Sequence, residues 1–139
     1  MRDMEAESMT ELKRMARFAD WSPESHLPTI DAPASVRKGQ VFELKVTIGK
    51  RKPHASDADH HISWAAVHFH PDGNGLQYVI GKSEFTVQAR PEKRSRPTAR
   101  LMHRSINVRF STGRPGIIHA SGLCSVHGHW LSSKKLEVR

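Results

Sequence analysis

Cysteine is nearly missing from this 139-residue chain, in which Cys124 is the only one. No disulfide can close within the chain, and a structural zinc site built on two or more thiolates is excluded, so the single thiol is either a buried spectator or a ligand. Aromatic residues are sparse at 6%, and none lies within the basic run of residues 90–100, where a base-stacking surface would require them. Nowhere do about 20 apolar residues run together, the length that crosses a bilayer. The opening residues, Met1 to Glu5, lack the apolar core of a secretory signal, so a cytoplasmic chain with no membrane partner is expected. Acidic residues are outnumbered 14 to 22, leaving a net charge of +8. Such a charge draws anions in general. Its densest run, Arg90, Lys93, Arg94, Arg96 and Arg100 with Pro91 and Pro97, reads as a solvated loop, and without a binding motif nucleic acid is not an expected partner.

The length suits one domain with a core of its own. From Ser8 to Asp20 the pattern is helical: Ser8 and Glu11 make a capping box, and Leu12, Met15, Ala16 and Ala19 share a face. Residues 1–20 are therefore expected to be a helical extension to a main domain over 21–139. Beyond Pro33 the period becomes two, with Phe42, Leu44, Val46 and Ile48 alternating with Glu43, Lys45 and Thr47, as in a strand with one buried face. Further strands are expected at Ile62–Phe69, Leu76–Ile80, Phe85–Ala89, Ser105–Phe110, Ile117–Gly122 and Leu136–Arg139. Turn-rich pieces such as Asp72-Gly73-Asn74-Gly75 separate them. Strands at this spacing predict an all-β sandwich or barrel.

The chemistry concentrates in Cys124-Ser125-Val126-His127-Gly128 and in three histidines far upstream, His26, His54 and His60. One thiolate with several imidazoles is the donor set of a redox-active transition metal. Cys124 and His127 reach one ion if the strand ending near Leu123 passes into a turn, where Gly128 would relieve crowding. His54 and His60 bracket small and acidic residues that suit a loop. His61 follows directly, and strand neighbours point to opposite faces, so His60 and His61 do not serve together; spacing alone leaves open which one does. His68, His70, His103, His119 and His129 are read as structural or exposed. A copper carrier of the cupredoxin kind also offers a Cys-x-x-His segment on a β-sandwich. Such sites use fewer histidines and usually an axial methionine, and no Met follows His127.

Three segments together resemble the superoxide reductase family, of the one-iron neelaredoxin type and the iron-binding domain of desulfoferrodoxin. Glu24-Ser25-His26-Leu27-Pro28 is similar to its Glu-Lys-His-Val-Pro segment. His54 through His60-His61-Ile62 is similar to its His-Pro-x-x-x-x-His-His-Ile segment, and Cys124-Ser125-Val126-His127-Gly128 to its Cys-Asn-x-His-Gly segment. The resemblance runs from about Trp21 to the C-terminus, including the Trp130 region. It implies an immunoglobulin-like β-sandwich of about seven strands holding one mononuclear non-haem iron, with His26, His54, His60 and His127 equatorial and Cys124 axial. It also selects His60 over His61. The implied activity is reduction of superoxide to hydrogen peroxide, with an external electron donor such as a rubredoxin-like protein. The implied assembly is a homodimer or homotetramer. Glu24 is expected at the sixth position of the oxidised resting state. Ser25 stands where the family has a lysine that attracts superoxide and helps deliver a proton. Lys50, Arg51 and Lys52 precede His54 and could restore that field, since a cationic funnel speeds capture of a small anion. The alternative is an iron-binding or electron-transfer sandwich with weak or no activity.

Overall fold

The computed structural model describes residues 16–17, 26–50, 53–56, 59–73, 75–85, 101–102 and 104–139. Eleven strands lie among them: β1 (Ala16–Arg17), β2 (Pro28–Asp31), β3 (Ser35–Val36), β4 (Phe42–Ile48), β5 (His54–Ala55), β6 (Ile62–Pro71), β7 (Tyr78–Glu84), β8 (Leu101–Met102), β9 (Arg104–Phe110), β10 (Gly116–Cys124) and β11 (Gly128–Val138). The main sheet runs β1-β11-β10-β6-β7, with β3 added alongside β11, and the second sheet runs β2-β4-β9. A short β5-β8 ladder pairs His54 with Met102.

The two sheets close over one core, to which β4 contributes Phe42, Leu44, Val46 and Ile48, β9 Ile106 and Val108, and β6, β10 and β11 contribute Val67, Phe69, Ile118, Ala120 and Leu136. Each fully buried aliphatic or phenyl side chain stabilises the fold by about 1.5–3 kcal/mol relative to exposure, so the period-two pattern of β4 dictates which face turns inward. The sheets approach closely enough that a Cβ on Gly122 would stand 2.4 Å from Ile48 Cδ1. Gly122 therefore lets the layers meet beside Cys124.

The all-β sandwich expected from the sequence is the observed architecture. Of the expected helix over Ser8–Asp20, only Ala16 and Arg17 are described, and they form a strand parallel to β11 at His129 and Trp130; the rest lies outside the described residues. The strand expected at Leu76–Ile80 is observed as β7, displaced to Tyr78–Glu84, while of the strand expected at Phe85–Ala89 only Phe85 is described and it lies just past β7; residues 86–89 lie outside the described set. β7 runs through Gly81, where only glycine fits: a Cβ there would meet Val108 Cγ2 at 2.7 Å. The last strand begins at Gly128 rather than Leu136. Its polar run Ser132-Ser133-Lys134-Lys135 hides it from a hydrophobic pattern, while the ladder with β10 holds it in register from Gly128 to Leu136.

Candidate metal centre

At one end of the sandwich, side chains from three separate stretches converge. His26 precedes β2, His54 opens β5, His60 lies just before β6, and Cys124 and His127 flank the β10–β11 turn. Their ligand atoms all lie within 4.8 Å of one another. Cys124 is brought there by the alternation of β10, which turns Ile118, Ala120 and Cys124 inward, and by a bulge that shifts the β6 register between Leu123 and Cys124. The following turn is tied to the foot of β6: Ser125 N–H donates to His61 O at 2.8 Å, and His61 N–H donates to Ser125 Oγ at 3.0 Å. Gly128 closes that turn at φ 88°. A Cβ there would meet nothing within 4 Å, so the requirement is the left-handed backbone rather than the crowding anticipated from sequence.

The four imidazoles form a square. Ring centres of neighbours are 4.8 Å apart for His26–His54, 4.6 Å for His54–His60, 4.9 Å for His60–His127 and 4.7 Å for His127–His26. The diagonal His26–His60 is 6.5 Å. Each ring stands 71–76° from its neighbours, like blades around a hub. Cys124 Sγ is 3.3 Å from His54 Nε2 and 3.6 Å from His127 Nδ1. These nitrogens belong to opposite corners, and His26 and His60 hold the other two, so the sulfur lies off the plane of the square. Ligands at about 2.1 Å (nitrogen) and 2.3 Å (sulfur), at right angles about one ion, stand about 3.0 Å apart N to N and about 3.1 Å N to S. His26 Nε2 and His127 Nδ1 are 3.0 Å apart, so the donor set fits one ion with four nitrogens around it and one sulfur on the axis. The trigonal two-histidine, one-cysteine geometry of a blue-copper carrier does not fit.

Further contacts fix the donors. His54 Nδ1–H donates to Ala55 O at 2.7 Å, which leaves Nε2 as the metal-facing nitrogen. Burial, ahead of the neighbouring imidazoles, pushes His54 down to about pH 4, so it is neutral and ready to ligate at physiological pH. His127 N–H donates to Cys124 Sγ at 3.3 Å, the kind of bond that tunes a metal-bound thiolate. Trp130, fully buried, stacks on His26 with ring centres 4.8 Å apart and planes 15° apart. Arg104 Nη2 donates to Ser56 Oγ at 2.7 Å, bracing the segment that carries His54.

The five ligands expected from sequence are thus brought together. Glu24, Ser25 and Lys52 lie outside the described residues. Lys50 Nζ lies 2.7 Å from both carboxylate oxygens of Asp31. The bracing roles of Trp130 and Arg104 escaped sequence reasoning, because a lone tryptophan and an arginine within a strand carry no spacing signal toward the site.

The desulfoferrodoxin family model matches residues 18–133. Superoxide reductase of Pyrococcus horikoshii is 32% identical over 126 residues, covering 91% of this chain and 99% of the relative. Neelaredoxin of Megalodesulfovibrio gigas is 30% identical over 125 residues, covering 90% and 96%. A crystal structure of a Thermotoga maritima protein provisionally named a superoxide reductase superposes with a TM-score of 0.79 at 33% identity, covering 92% of this chain and 97% of that one.

Proposed function

The chain belongs to the desulfoferrodoxin family, and from that premise we propose that it is a superoxide reductase, converting superoxide to hydrogen peroxide at one non-haem iron held by His26, His54, His60, His127 and Cys124. The observation that carries this reading is the square of imidazoles with a sulfur on its axis. When bound, iron supplies the electron that superoxide takes up along with two protons, and an external donor of the rubredoxin kind restores it.

The chain's own groups then divide the work. Cys124 is 1% exposed and occupies the core side of the square, so the opposite side is the one left for a small anion. Half-buried His60 and His127 and the exposed Ser125 and Val126 border the outward end of the site. Ser25 adjoins His26 in sequence and, in place of a lysine, offers a hydroxyl that can order a proton-carrying water. Glu24, two residues before His26 in sequence, is the carboxylate we assign as partner of the oxidised resting centre. Lys50 shares its charge with Asp31, and Lys52, close before His54 in sequence, is the other cation assigned to steering. One reduced thiol and no helix among the described residues long and apolar enough to cross a membrane accord with a cytoplasmic location. A homodimer or homotetramer is the assembly we assign.

Metal analysis comes first: one iron per chain and a thiolate-to-Fe(III) absorption band are expected, whereas stoichiometric copper would overturn the reading. Pulsing the ferrous protein with superoxide should then oxidise it at a rate near the diffusional ceiling of about 10⁸–10⁹ M⁻¹s⁻¹. A slow reaction in an iron-loaded protein would instead make this a metal-binding relative that lost activity with the lysine.

A further inference from the structure

His26 is the one corner of the imidazole square that enters from the second sheet. It leads into β2, an edge strand whose ladder partner among the described residues is β4. No backbone ladder among the described residues joins β2 to β11. Side chains of β11 make the connection instead. Trp130, Ser132 and Lys134 alternate with Leu131, Ser133 and Lys135, so they share one face of the strand. Trp130 stacks on the His26 ring with centres 4.8 Å apart. Ser132 Oγ–H donates to Pro28 O at 2.6 Å, and Lys134 Nζ donates to Ala32 O at 2.5 Å. The three contacts follow one order along both segments, and Pro28, which has no N–H, offers its carbonyl as the backbone group by which it can be held.

We propose that Ser132 is a positioning residue for the metal centre: by fixing the Pro28 carbonyl it sets the place of His26, while Lys134 anchors the far end of the same strand. This rests on the reading that His26 ligates the ion. Only Leu27 separates His26 from Pro28, so a hold on that carbonyl reaches the ring through few free torsions. The indole face opposes tilting of the imidazole but tolerates an offset slide. A short, directional hydrogen bond fixes the distance that stacking leaves loose, the kind of outer support that keeps a ligand within its productive geometry. A cleft of about 520 Å³, lined by Leu27, Pro28, Ser132 and Lys134 among others, opens beside the bond. Water can therefore take over the Pro28 carbonyl when the hydroxyl is removed, and the loss falls on position rather than on folding.

Ser132→Thr and Ser132→Val test this, since the two variants have nearly the same shape, both suit a strand and only one keeps the hydroxyl. Each is loaded with iron and, separately, with zinc, which has no redox chemistry of its own, and metal release into excess chelator is timed. Release from the Thr variant should stay within about twofold of the parent chain, and release from the Val variant should be about three- to tenfold faster, the worth of one hydrogen bond. The electron paramagnetic resonance signal of the ferric form, whose rhombicity reads the asymmetry of the equatorial nitrogens, should match the parent in Thr and differ in Val. Denaturant midpoints of the two metal-free variants should coincide. Lys134→Met should change release by less than about twofold. Equal release from Thr and Val, an unchanged ferric signal in Val, or faster release matched by an equal loss of metal-free stability would each overturn the proposal, as would a larger effect in Lys134→Met than in Ser132→Val. A metal-loaded parent that is inert toward superoxide would refute the proposed activity and leave this comparison standing; a parent that takes up neither ion would overturn both.

Discussion

Two groups of histidines on one sandwich show how position decides what an imidazole does. At the end of the sandwich, His26, His54, His60 and His127 come from loops and strand ends separated along the chain and close around a buried thiol. On the outer face, His68, His70 and His119 come from the interiors of two neighbouring strands, placed by register alone. In the first group His26 and His54 are buried while His60 and His127 are half-buried, and His54 is pushed down to about pH 4. The second is half-open to water, and a serine rather than a stacked indole orients one of its rings. Loops can aim donors from several directions at one point, which permits four nitrogens and a sulfur. A flat sheet face can offer donors from one side only.

The sharpest break of this contrast is Cys124→Ser. Removing the only thiolate should abolish the thiolate-to-Fe(III) band of the aerobically oxidised protein entirely; a surviving band would show that the axial assignment is wrong. Next in size is Trp130→Ala. Truncating a fully buried tryptophan typically costs about 3–5 kcal/mol, and here it also removes the surface on which His26 stacks. Urea unfolding should show that loss, and iron should dissociate faster from the variant. Trp130→Phe, which keeps a stacking face, should recover much of the iron retention; equal iron loss in both variants would deny the indole its orienting role.

These two groups were not equally legible in the sequence. The buried centre could be located because its members recur in motifs, and because β4 alternates so cleanly that a sandwich follows. The choice of His60 over His61 came from the family resemblance; the structure adds that His61 N–H and O are engaged by Ser125 while the His60 ring joins the square. The outer group was invisible as a group, since pairing His68 with His119 needs a strand register that no local pattern specifies. The same lack of register hid β11 behind its serines and lysines, and the close packing at Gly81 on Val108 depends on a neighbouring strand that no local pattern specifies. Trp130 and Arg104 act through contacts across the fold, which spacing along the chain does not encode.

A pH experiment sharpens the contrast in environment. The unfolded chain protonates His54 near pH 6.5, whereas the folded metal-free chain resists protonation until about pH 4. Between those values the unfolded state binds more protons, so stability falls as pH falls, by at most about 3 kcal/mol in total, and levels off below the folded value. Denaturant melts of metal-free protein from pH 7 to pH 4 should show that decline, and His54→Asn should flatten it. Iron adds to the slope because it binds only the neutral imidazole. An unchanged slope in the Asn variant would assign the effect to other groups.

The smallest expected effect concerns Lys50, which lies two residues past β4 and is not one of the clustered ligands. Its ammonium forms an ion pair with Asp31 at 2.7 Å, with the two side chains 47% and 45% exposed, so the pair contributes about 0–1 kcal/mol to stability. To a distant anion the pair presents almost no net charge, and steering depends on net field rather than on the count of lysines. Lys50→Met, which unmasks the Asp31 carboxylate, should therefore lower the bimolecular rate with superoxide slightly, by less than about twofold at low ionic strength. Asp31→Asn, which unmasks the cation, should raise that rate slightly, and the gain should vanish in high salt as screening shortens to a few ångström. A severalfold loss in Lys50→Met at low salt would instead make Lys50 part of the steering field despite its partner.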